Sequence, residues 1–209
     1  MVRHSGTEST ITAVVLAGGR ATRMSGTDKG LIEVAGRPMV AYVLDALVPQ
    51  VERILINANR NQDRYAAFGY PVVADEDPNF LGPLAGLASG LRMCRTPLML
   101  AVPCDCPLVA PILVERLRAA LEPEGTEIAV AFDGESLQPV FSLLRRRLYR
   151  SLEAFLACGG RKVGDWLEQH QVAKADLSDC RDSFINVNDP ADREALEARL
   201  FARPTAGRP

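Results

Sequence analysis

The sequence predicts an α/β fold in which a Rossmann-like, doubly wound and mostly parallel sheet carries helices on both faces. Short, strongly apolar segments alternate with helix-like segments through roughly the first 130 residues, and this alternation is typical of right-handed βαβ units. The apolar segments are continuous and do not alternate with polar residues. We therefore expect strands that are covered on both faces.

Five apolar segments are the predicted strands of the first half, and four helix-like segments lie between them. The strands are residues 12–16, 53–57, 71–74, 98–102 and 127–132, and the helices are residues 39–47, 62–68, 83–93 and 111–121. The second half predicts strands at 139–143 and 183–187, helices at 144–156 and 190–201, and a short helix around Trp166. No low-complexity linker separates the halves, so the later elements should complete the same sheet.

Length and composition indicate one domain with a single large core. The chain has 209 residues, of which 47% are hydrophobic, and this length is usual for a single domain. We expect the domain to cover residues 1–209. The terminal segments 1–10 and 202–209 are polar or rich in proline and glycine, so they should be flexible.

Charge and cysteine usage limit the function classes. Lys and Arg total 24 against 26 Asp and Glu, a net charge of -2, so no general basic field attracts a nucleic acid. Asp105 and three prolines interrupt the longest apolar region, 97–114, which excludes a membrane-spanning helix there. The five cysteines are odd in number and widely scattered, which argues against a disulfide framework and favours a cytoplasmic protein.

Polar residues follow the predicted strands at their carboxyl ends. Leu16 leads into a glycine-rich loop, Asn57 ends the second strand, and Asp75 and Asp105 follow the third and fourth. In open α/β sheets, ligands bind beyond the carboxyl ends of the strands. The recurrence predicts one composite site at this edge.

The loop after the first strand has the composition of a triphosphate-binding loop. Gly18 and Gly19 allow backbone N–H groups to approach phosphate oxygens, and Arg23 and Lys29 add positive charge. The loop matches neither G-x-G-x-x-G nor the P-loop pattern, which argues against a dinucleotide dehydrogenase or an ordinary NTPase. Two glycines alone would indicate an ordinary surface loop, but the added cations after a buried strand favour phosphate binding.

Asp105 is the candidate metal ligand. It follows a predicted buried strand and lies between Pro103 and Pro107, which stiffen its loop. A rigid carboxylate of this kind suits Mg²⁺, which proteins usually hold through one or two carboxylates plus substrate phosphates. An isolated aspartate is more often a turn or cap residue. Cys104 and Cys106 flank it, and we interpret them as small buried residues rather than metal ligands.

The remaining candidates have weaker signals. Asn57 and Asp75 can hydrogen-bond a base or ribose, or serve only as turn residues. Gly82 opens a helix-like segment that allows close approach to a ligand. The others lie later in the chain: two adjacent cations that can bind an anionic acceptor or form a solvated basic turn, two asparagines that can reach one ligand or metal, and a glutamine that can contact a cofactor or occupy an ordinary edge position. They are Gln138, Arg161, Lys162, Asn186 and Asn188.

These residues together resemble the molybdenum cofactor guanylyltransferases, within the wider nucleotidyltransferases that have the nucleotide-diphospho-sugar transferase type of fold. The resemblance covers nearly the whole chain. Its motifs are L-A-G-G from Leu16, G-P-L-A-G from Gly82, P-C-D-C-P around Asp105, R-K-V from Arg161 and F-I-N-V-N ending at Asn188. One departure is Ser25, where relatives often have glycine.

The resemblance implies a role for each candidate. It assigns GTP to the backbone of Leu16, Ala17, Gly18 and Gly19 and to Lys29, Asn57, Asp75, Gly82 and Asp105. It assigns Mg²⁺ to Asp105 and catalysis to Lys29, Arg23 and Asp105. It places the molybdopterin or molybdenum cofactor near Gln138, Arg161, Lys162, Asn186 and Asn188. Molybdenum-insertion proteins and target molybdoenzymes or their chaperones are further partners that it suggests.

The implied reaction is transfer of GMP from GTP to the terminal phosphate of molybdopterin, with release of pyrophosphate. One alternative is a relative that uses CTP, such as a molybdopterin cytidylyltransferase or a sugar-phosphate nucleotidyltransferase. Another is a nucleotide-binding regulator that has lost catalysis. Such a regulator would be free to lose Lys29 or Asp105, and both are present.

Overall fold

A computed structural model describes residues 10–18, 28–76, 82–187 and 190–202. The strands are β1 (Ile11–Leu16), β2 (Glu33–Val34), β3 (Arg37–Pro38), β4 (Arg53–Asn57), β5 (Val72–Val73), β6 (Leu98–Pro103), β7 (Ile128–Phe132), β8 (Leu137–Arg145) and β9 (Val172–Asp176). The α-helices are α1 (Met39–Leu47), α2 (Gln62–Ala66), α3 (Pro83–Met93), α4 (Leu113–Leu121), α5 (Tyr149–Ala157), α6 (Val163–Leu167) and α7 (Pro190–Ala202).

Seven strands form one mixed, mostly parallel sheet in the order β5-β4-β1-β6-β8-β7-β9. The β4–β5, β1–β4, β1–β6 and β7–β9 pairs are parallel, and β8 is antiparallel to both neighbours. The predicted α/β class and mostly parallel sheet are therefore confirmed. The two-stranded hairpin β2–β3 lies outside this sheet and was not predicted from the sequence.

Both faces of the sheet are covered, as the continuous apolar strands predicted. In β1, Ala13 and Val15 belong to a core cluster that includes α1 and α4, whereas Val14 belongs to a second cluster with α3, α5 and α6. Successive side chains of a strand point to opposite faces. The sheet is thus the middle of three layers.

Two predicted elements of the second half are wrong. Residues 183–187 do not form a strand, because a 3-10 helix covers Ser178–Phe184 and residues 185–187 are irregular. The helix predicted from residue 144 begins at Tyr149, because Leu144 and Arg145 pair with Met99 and Leu98 of β6.

The strand β9 was not predicted from the sequence. β9 pairs in parallel with β7 at the edge of the sheet. Its sequence, V-A-K-A-D, buries only Ala175, so it lacks the continuous apolar run used to find the other strands. The predicted flexible ends, 1–10 and 202–209, lie outside the described residues except for Thr10 and Ala202. Among the described residues, no helix is long and apolar enough to cross a membrane.

The strand order places a switch point between β1 and β6. β1 has β4 on one side and β6 on the other, and all three strands run in the same direction. Connections that leave in opposite directions at such a point open a crevice beyond the carboxyl ends, where α/β proteins bind ligands. The segments after Leu16 and Pro103, which end β1 and β6, border this crevice.

Candidate active site

A hydrogen-bonded cluster lies beyond the ends of β4 and β5. Asp75 accepts a 2.7 Å hydrogen bond from the Nδ2 atom of Asn57 on one carboxylate oxygen and another of 2.7 Å from Nδ2 of Asn59 on the other. The Asp75 backbone N–H donates back to Oδ1 of Asn59 over 2.7 Å. Ser89, on α3, donates to Asp75 at 3.4 Å. The carboxylate is thus held in a fixed orientation by groups from the end of β4, the turn after it and α3.

Two glycines allow the backbone to approach this cluster closely. A Cβ atom at Gly18 would lie 3.0 Å from both Asn57 Oδ1 and Asn59 Nδ2, and one at Gly86 would lie 2.5 Å from Asn57 Oδ1. Gly86 belongs to the first turns of α3, and Gly82 before that helix has φ +73°, a conformation that favours glycine. The glycine pattern of this site therefore has a steric cause.

Lys29 and Asp105 form a second cluster on the neighbouring strand ends. Lys29 Nζ lies 3.1 Å from Asp105 Oδ2, and their side chains are 29% and 17% exposed. The preceding residue, Asp28, is buried and accepts hydrogen bonds from Arg60 at 2.9 Å and from Asn61 at 2.6 Å. Asp28 thus anchors the backbone that presents Lys29.

The loop that carries Asp105 is tied to β1. The backbone N–H of Cys104 donates to the Leu16 carbonyl over 3.1 Å, so Asp105 follows the residue that touches the end of β1. Burial raises the pKa of the Cys104 and Cys106 thiols far above their usual range. Both thiols are therefore protonated near neutral pH, which agrees with their interpretation as small buried residues.

Gln138 and Asn186 lie at the same edge of the sheet. Gln138 is near the start of β8, where Nε2 donates to Asp133 over 2.6 Å. A register shift between Val130 and Ala131 marks an irregularity opposite this part of β8. Val187 donates its backbone N–H to the Asp105 carbonyl at 3.3 Å, which brings the exposed Asn186 next to the Asp105 loop.

Arg161 and Lys162 follow α5 and are exposed. Arg161 donates to the carbonyls of Leu156, at 3.0 Å, and Gly160, at 2.7 Å, and so caps the end of α5. It also lines a cleft of about 250 Å³ that Ser89 shares. Because Ser89 contacts Asp75, Arg161 lies near the cluster of Asn57 and Asp75. Lys162 precedes α6.

The predicted site residues fall into three groups. The first group is Gly18, Asn57 and Asp75, which lie together, and the second is the pair of Lys29 and Asp105. Leu16 and Ala17 lie between these two clusters, since the Ala17 N–H donates to the Asn57 carbonyl at 2.8 Å. Three predicted residues lie outside the described residues, and they are Gly19, Arg23 and Asn188. Two residues of the site, Asn59 and Ser89, were not predicted. The spacing of two between Asn57 and Asn59 was a signal for Asn59, whereas nothing in the sequence indicated Ser89.

One carboxylate beside a lysine fits a metal held partly by substrate. Among the described residues, no group of three or more His, Cys, Asp or Glu side chains can hold a metal ion. Asp105 is half-buried and already faces a cation, Lys29. This donor set suits a hard divalent cation that takes its other ligands from phosphates and water.

Comparisons with known proteins agree with this geometry. Residues 13–175 match the model of the MobA-like NTP transferase domain. The molybdenum cofactor guanylyltransferase of Shewanella sediminis is 50% identical over 91% of this chain and 97% of its own, and that of Shewanella loihica is 49% identical with the same coverage. The structure of molybdopterin-guanine dinucleotide biosynthesis protein A from Archaeoglobus fulgidus, at 22% identity, has the same fold, with a TM-score of 0.77 over 92% of this chain and 100% of that one. The chain belongs to the MobA-like NTP transferase family, together with the Shewanella molybdenum cofactor guanylyltransferases.

Proposed function

We propose that this protein is a molybdenum cofactor guanylyltransferase. It transfers GMP from GTP to the terminal phosphate of molybdopterin, or of its molybdenum-containing form, and releases pyrophosphate. The observation that carries the proposal is the Lys29–Asp105 pair at the switch point, next to the Gly18 turn and the Asp75 cluster. This arrangement offers one cation and one carboxylate where a triphosphate enters.

The residues support transfer without a protein nucleophile. The attacking group is a phosphate monoester of the acceptor, which is already largely anionic near neutral pH. Catalysis then requires that two polyanions be brought together and that the charge on the leaving pyrophosphate be stabilised. In this proposal Lys29 binds the phosphates of GTP throughout, and Gly18 offers backbone contacts to the nucleotide. Arg23 is the second proposed cation.

Asp105 is the residue that we propose to hold Mg²⁺. When bound, the cation supplies charge neutralisation on the phosphates that approach it. The Asp105 carboxylate is oriented for this role by its short loop, which is anchored at Cys104 N–H on one side and receives Val187 N–H on the other. The partial burial of the side chain limits competition from water.

The nucleoside half of the site favours guanine. Guanine presents N1–H and an exocyclic amine as adjacent donors, so a matching site needs acceptors. The Asp75 carboxylate is a fixed acceptor, because Asn57 and Asn59 orient both of its oxygens. Adenine offers an acceptor at N1, so its hydrogen bond to the half-buried Asp75 carboxylate would be lost, at a cost of roughly 1–3 kcal/mol. Gly82 lies at the start of α3, on the same side of the site.

Gln138, Arg161, Lys162, Asn186 and Asn188 are proposed to serve the acceptor. Support comes from the position of Gln138 at the start of β8 and of Asn186 beside the Asp105 loop, both on the side of the sheet away from Asp75. The five cysteines are all free thiols, which supports a cytoplasmic site for the reaction. Molybdenum-insertion proteins and the chaperones of target enzymes remain proposed partners.

Incubation with each of the four labelled nucleoside triphosphates, Mg²⁺ and the cofactor tests the proposal. We expect transfer from GTP at a rate about tenfold to a hundredfold above that from ATP or CTP. Adenine cannot donate the hydrogen bond that guanine N1–H donates, and cytosine is smaller than a purine and fills less of the site. Transfer from CTP at a rate similar to that from GTP would instead support the cytidylyltransferase alternative. Binding of GTP without transfer under any of these conditions would support the regulator.

A further inference from the structure

A cavity of about 890 Å³ lies where β6 begins and β8 ends, at the opposite ends of the strands from the candidate active site. Arg145, the last residue of β8, lines it and pairs in register with Leu98, the first residue of β6. The active site lies beyond the other end of β6, where Pro103 pairs with Leu16. The six residues of β6 span roughly 20 Å. The cavity is therefore separate from the site of transfer.

Arginine dominates the described lining of this cavity, and no carboxylate is among those lining residues. The five arginines are Arg92, Arg145, Arg146, Arg147 and Arg150. The chain as a whole has a net charge of -2, so this concentration of one charge does not follow from composition. Like charges that share a concave surface raise the local potential and favour the binding of an anion.

Local structure fixes these arginines around the beginning of α5. Arg145 is half-buried, and its Nε donates to the Thr126 carbonyl at 2.8 Å. Arg146 and Arg147 occupy the 3-10 helix before α5, and Arg150 lies in its first turn. That turn has no acidic residue and no side-chain cap, although a helix N-terminus favours negative charge. The arginines and the helix dipole thus add at one place.

Most of these guanidinium groups are available to a ligand. Among the described residues, the guanidinium groups of Arg146 and Arg150 have no hydrogen-bond or ion-pair partner. Arg92 pairs with Glu76, and both side chains are exposed, at 40% and 62%. Arg147 lies 3.5 Å from Glu127. Exposed pairs of this kind are weak, so a multiply charged anion can replace them.

We propose that this cavity binds a small molecule that carries two or more linked phosphate groups. Guanidinium groups match phosphate oxygens in geometry as well as charge. The volume is within the range of small-molecule sites, about 300–1,000 Å³. Tyr149 and Pro97 complete the wall in front of the buried Leu91, and they offer an apolar surface to the rest of the ligand. The ligand is either an inorganic oligophosphate or the phosphate chain of a nucleotide.

Calorimetric titration of the whole protein with tripolyphosphate, and separately with GTP, tests this site without any acceptor. We expect the Arg146→Ala/Arg150→Ala variant to bind one ligand fewer than wild type, with a loss of roughly tenfold or more in affinity per arginine removed. The matched control is Arg53→Ala/Arg95→Ala. It removes two exposed arginines that do not line the cavity, and it should bind as wild type does. An Arg146→Gln/Arg150→Gln variant, which keeps polar side chains, should reproduce the loss.

Each outcome bears on the cavity alone, because the comparison is between variants and does not depend on transfer. Tighter binding of GTP than of tripolyphosphate at the lost site would identify a nucleotide, and the reverse would identify an inorganic oligophosphate. Equal numbers of sites in wild type and the double variant would overturn the proposal. A second result would also overturn it: binding of a deca-glutamate peptide that depends on Arg146 and Arg150, together with no binding of tripolyphosphate at these residues. The surface would then bind an acidic protein.

Discussion

Lys29 and Asp105 are a pair of opposite charges, 3.1 Å apart, of which neither is fully exposed. In the protein without substrate, each charge compensates the other, so the partly buried carboxylate is not left unpaired. A triphosphate and its cation offer each group a new partner of the right sign. The pair is therefore stable before binding and able to exchange partners during it, which is what the proposed transfer requires of these two residues.

Asp105→Asn should fold as wild type does and lose roughly a hundredfold or more of transfer activity. The amide keeps the shape of the side chain but removes the charge that would hold the cation. Steady-state transfer and thermal unfolding measure the two effects. Asp45→Asn is the control, because Asp45 also pairs with a cationic side chain, that of Arg37, but is 66% exposed. Wild-type activity of Asp105→Asn at ordinary Mg²⁺ concentrations would contradict the metal assignment.

At the scale of the element, α3 is the part of the fold that shapes the nucleoside half of the site. Its N-terminal turns pack on Asn57 and Leu16 through Gly86, and Ser89 one turn later reaches Asp75. The helix approaches the strand ends closely because this position has no side chain. The proposed base-binding geometry thus depends on the seating of a whole helix.

Gly86→Ala should weaken GTP binding and destabilise the protein by roughly 1–3 kcal/mol, the usual cost of overpacking. The new methyl group would lie 2.5 Å from Asn57 Oδ1 and 2.9 Å from Leu16 Cδ2, so α3 or Asn57 has to move. The control is Gly164→Ala in α6, where the methyl group meets nothing within 4 Å. That substitution should be neutral or stabilise, because alanine favours helix. Equal effects of the two substitutions on GTP affinity would contradict this explanation.

The turn between β7 and β8 is held by Asp133, which orients Gln138. Its carboxylate accepts hydrogen bonds of 2.7 Å from the backbone N–H groups of Glu135 and Ser136 and one of 2.6 Å from Gln138. These donors, the Ser136 N–H above all, lower the pKa of Asp133 to about 2. The ionised form is therefore the one that the folded turn prefers.

Asp133→Ala should lower the melting temperature near neutral pH and by less in acid. A carboxyl whose folded pKa is depressed contributes stability above its unfolded pKa, about 3.9, and loses it as the pH falls toward about 2. The difference from wild type should thus shrink below about pH 4. Ser136→Ala keeps both backbone donors and should retain most of the pH dependence. A constant difference from about pH 7 to about pH 3 would contradict the assignment.

At the scale of the whole molecule, the strands whose bounds the sequence located most closely are mainly buried on both faces. β1, β4 and β6 are continuous apolar runs, and the residues after them were correctly expected to meet at one edge. The predicted strand at 183–187 is apolar for another reason. Phe184 packs edge-on against Phe141, with ring centroids 5.0 Å apart, and Val187 belongs to a small cluster with α7. Apolar content alone cannot separate pairing in a sheet from packing over its edge.

The same limit applies to the site. The positions of Gly18, Lys29 and Asp105 in the sequence predicted a phosphate site. Gly18 and Lys29 belong to the loop after the first strand, and Asp105 follows another buried strand. The hydrogen bonds from Asn57 and Asn59 to the two carboxylate oxygens of Asp75 form because β5 pairs with β4. No local sequence pattern indicates that these two strands are neighbours. The arginine-lined cavity around the start of α5 was not predicted from the sequence. Arg92 is distant from the other arginines in the chain and meets them only in the folded protein.

Arg161→Ala tests how the two substrates divide the crevice. Arg161 caps α5 and lies in a cleft shared with Ser89, near Asp75. If it serves the acceptor, the variant should raise the KM for molybdopterin severalfold and leave the Kd for GTP nearly unchanged, since a lost contact to one substrate appears in that substrate's binding.

Lys162→Ala, next in the chain but without a cap to lose, should show the same split if its charge also faces the acceptor. Loss of the cap alone would lower the melting temperature of Arg161→Ala without moving either constant. A rise in the Kd for GTP with the KM for molybdopterin unchanged would move Arg161 to the nucleotide. Arg161 would then belong to the side of the crevice that holds Asp75. The acceptor would have to enter between Gln138 and Asn186.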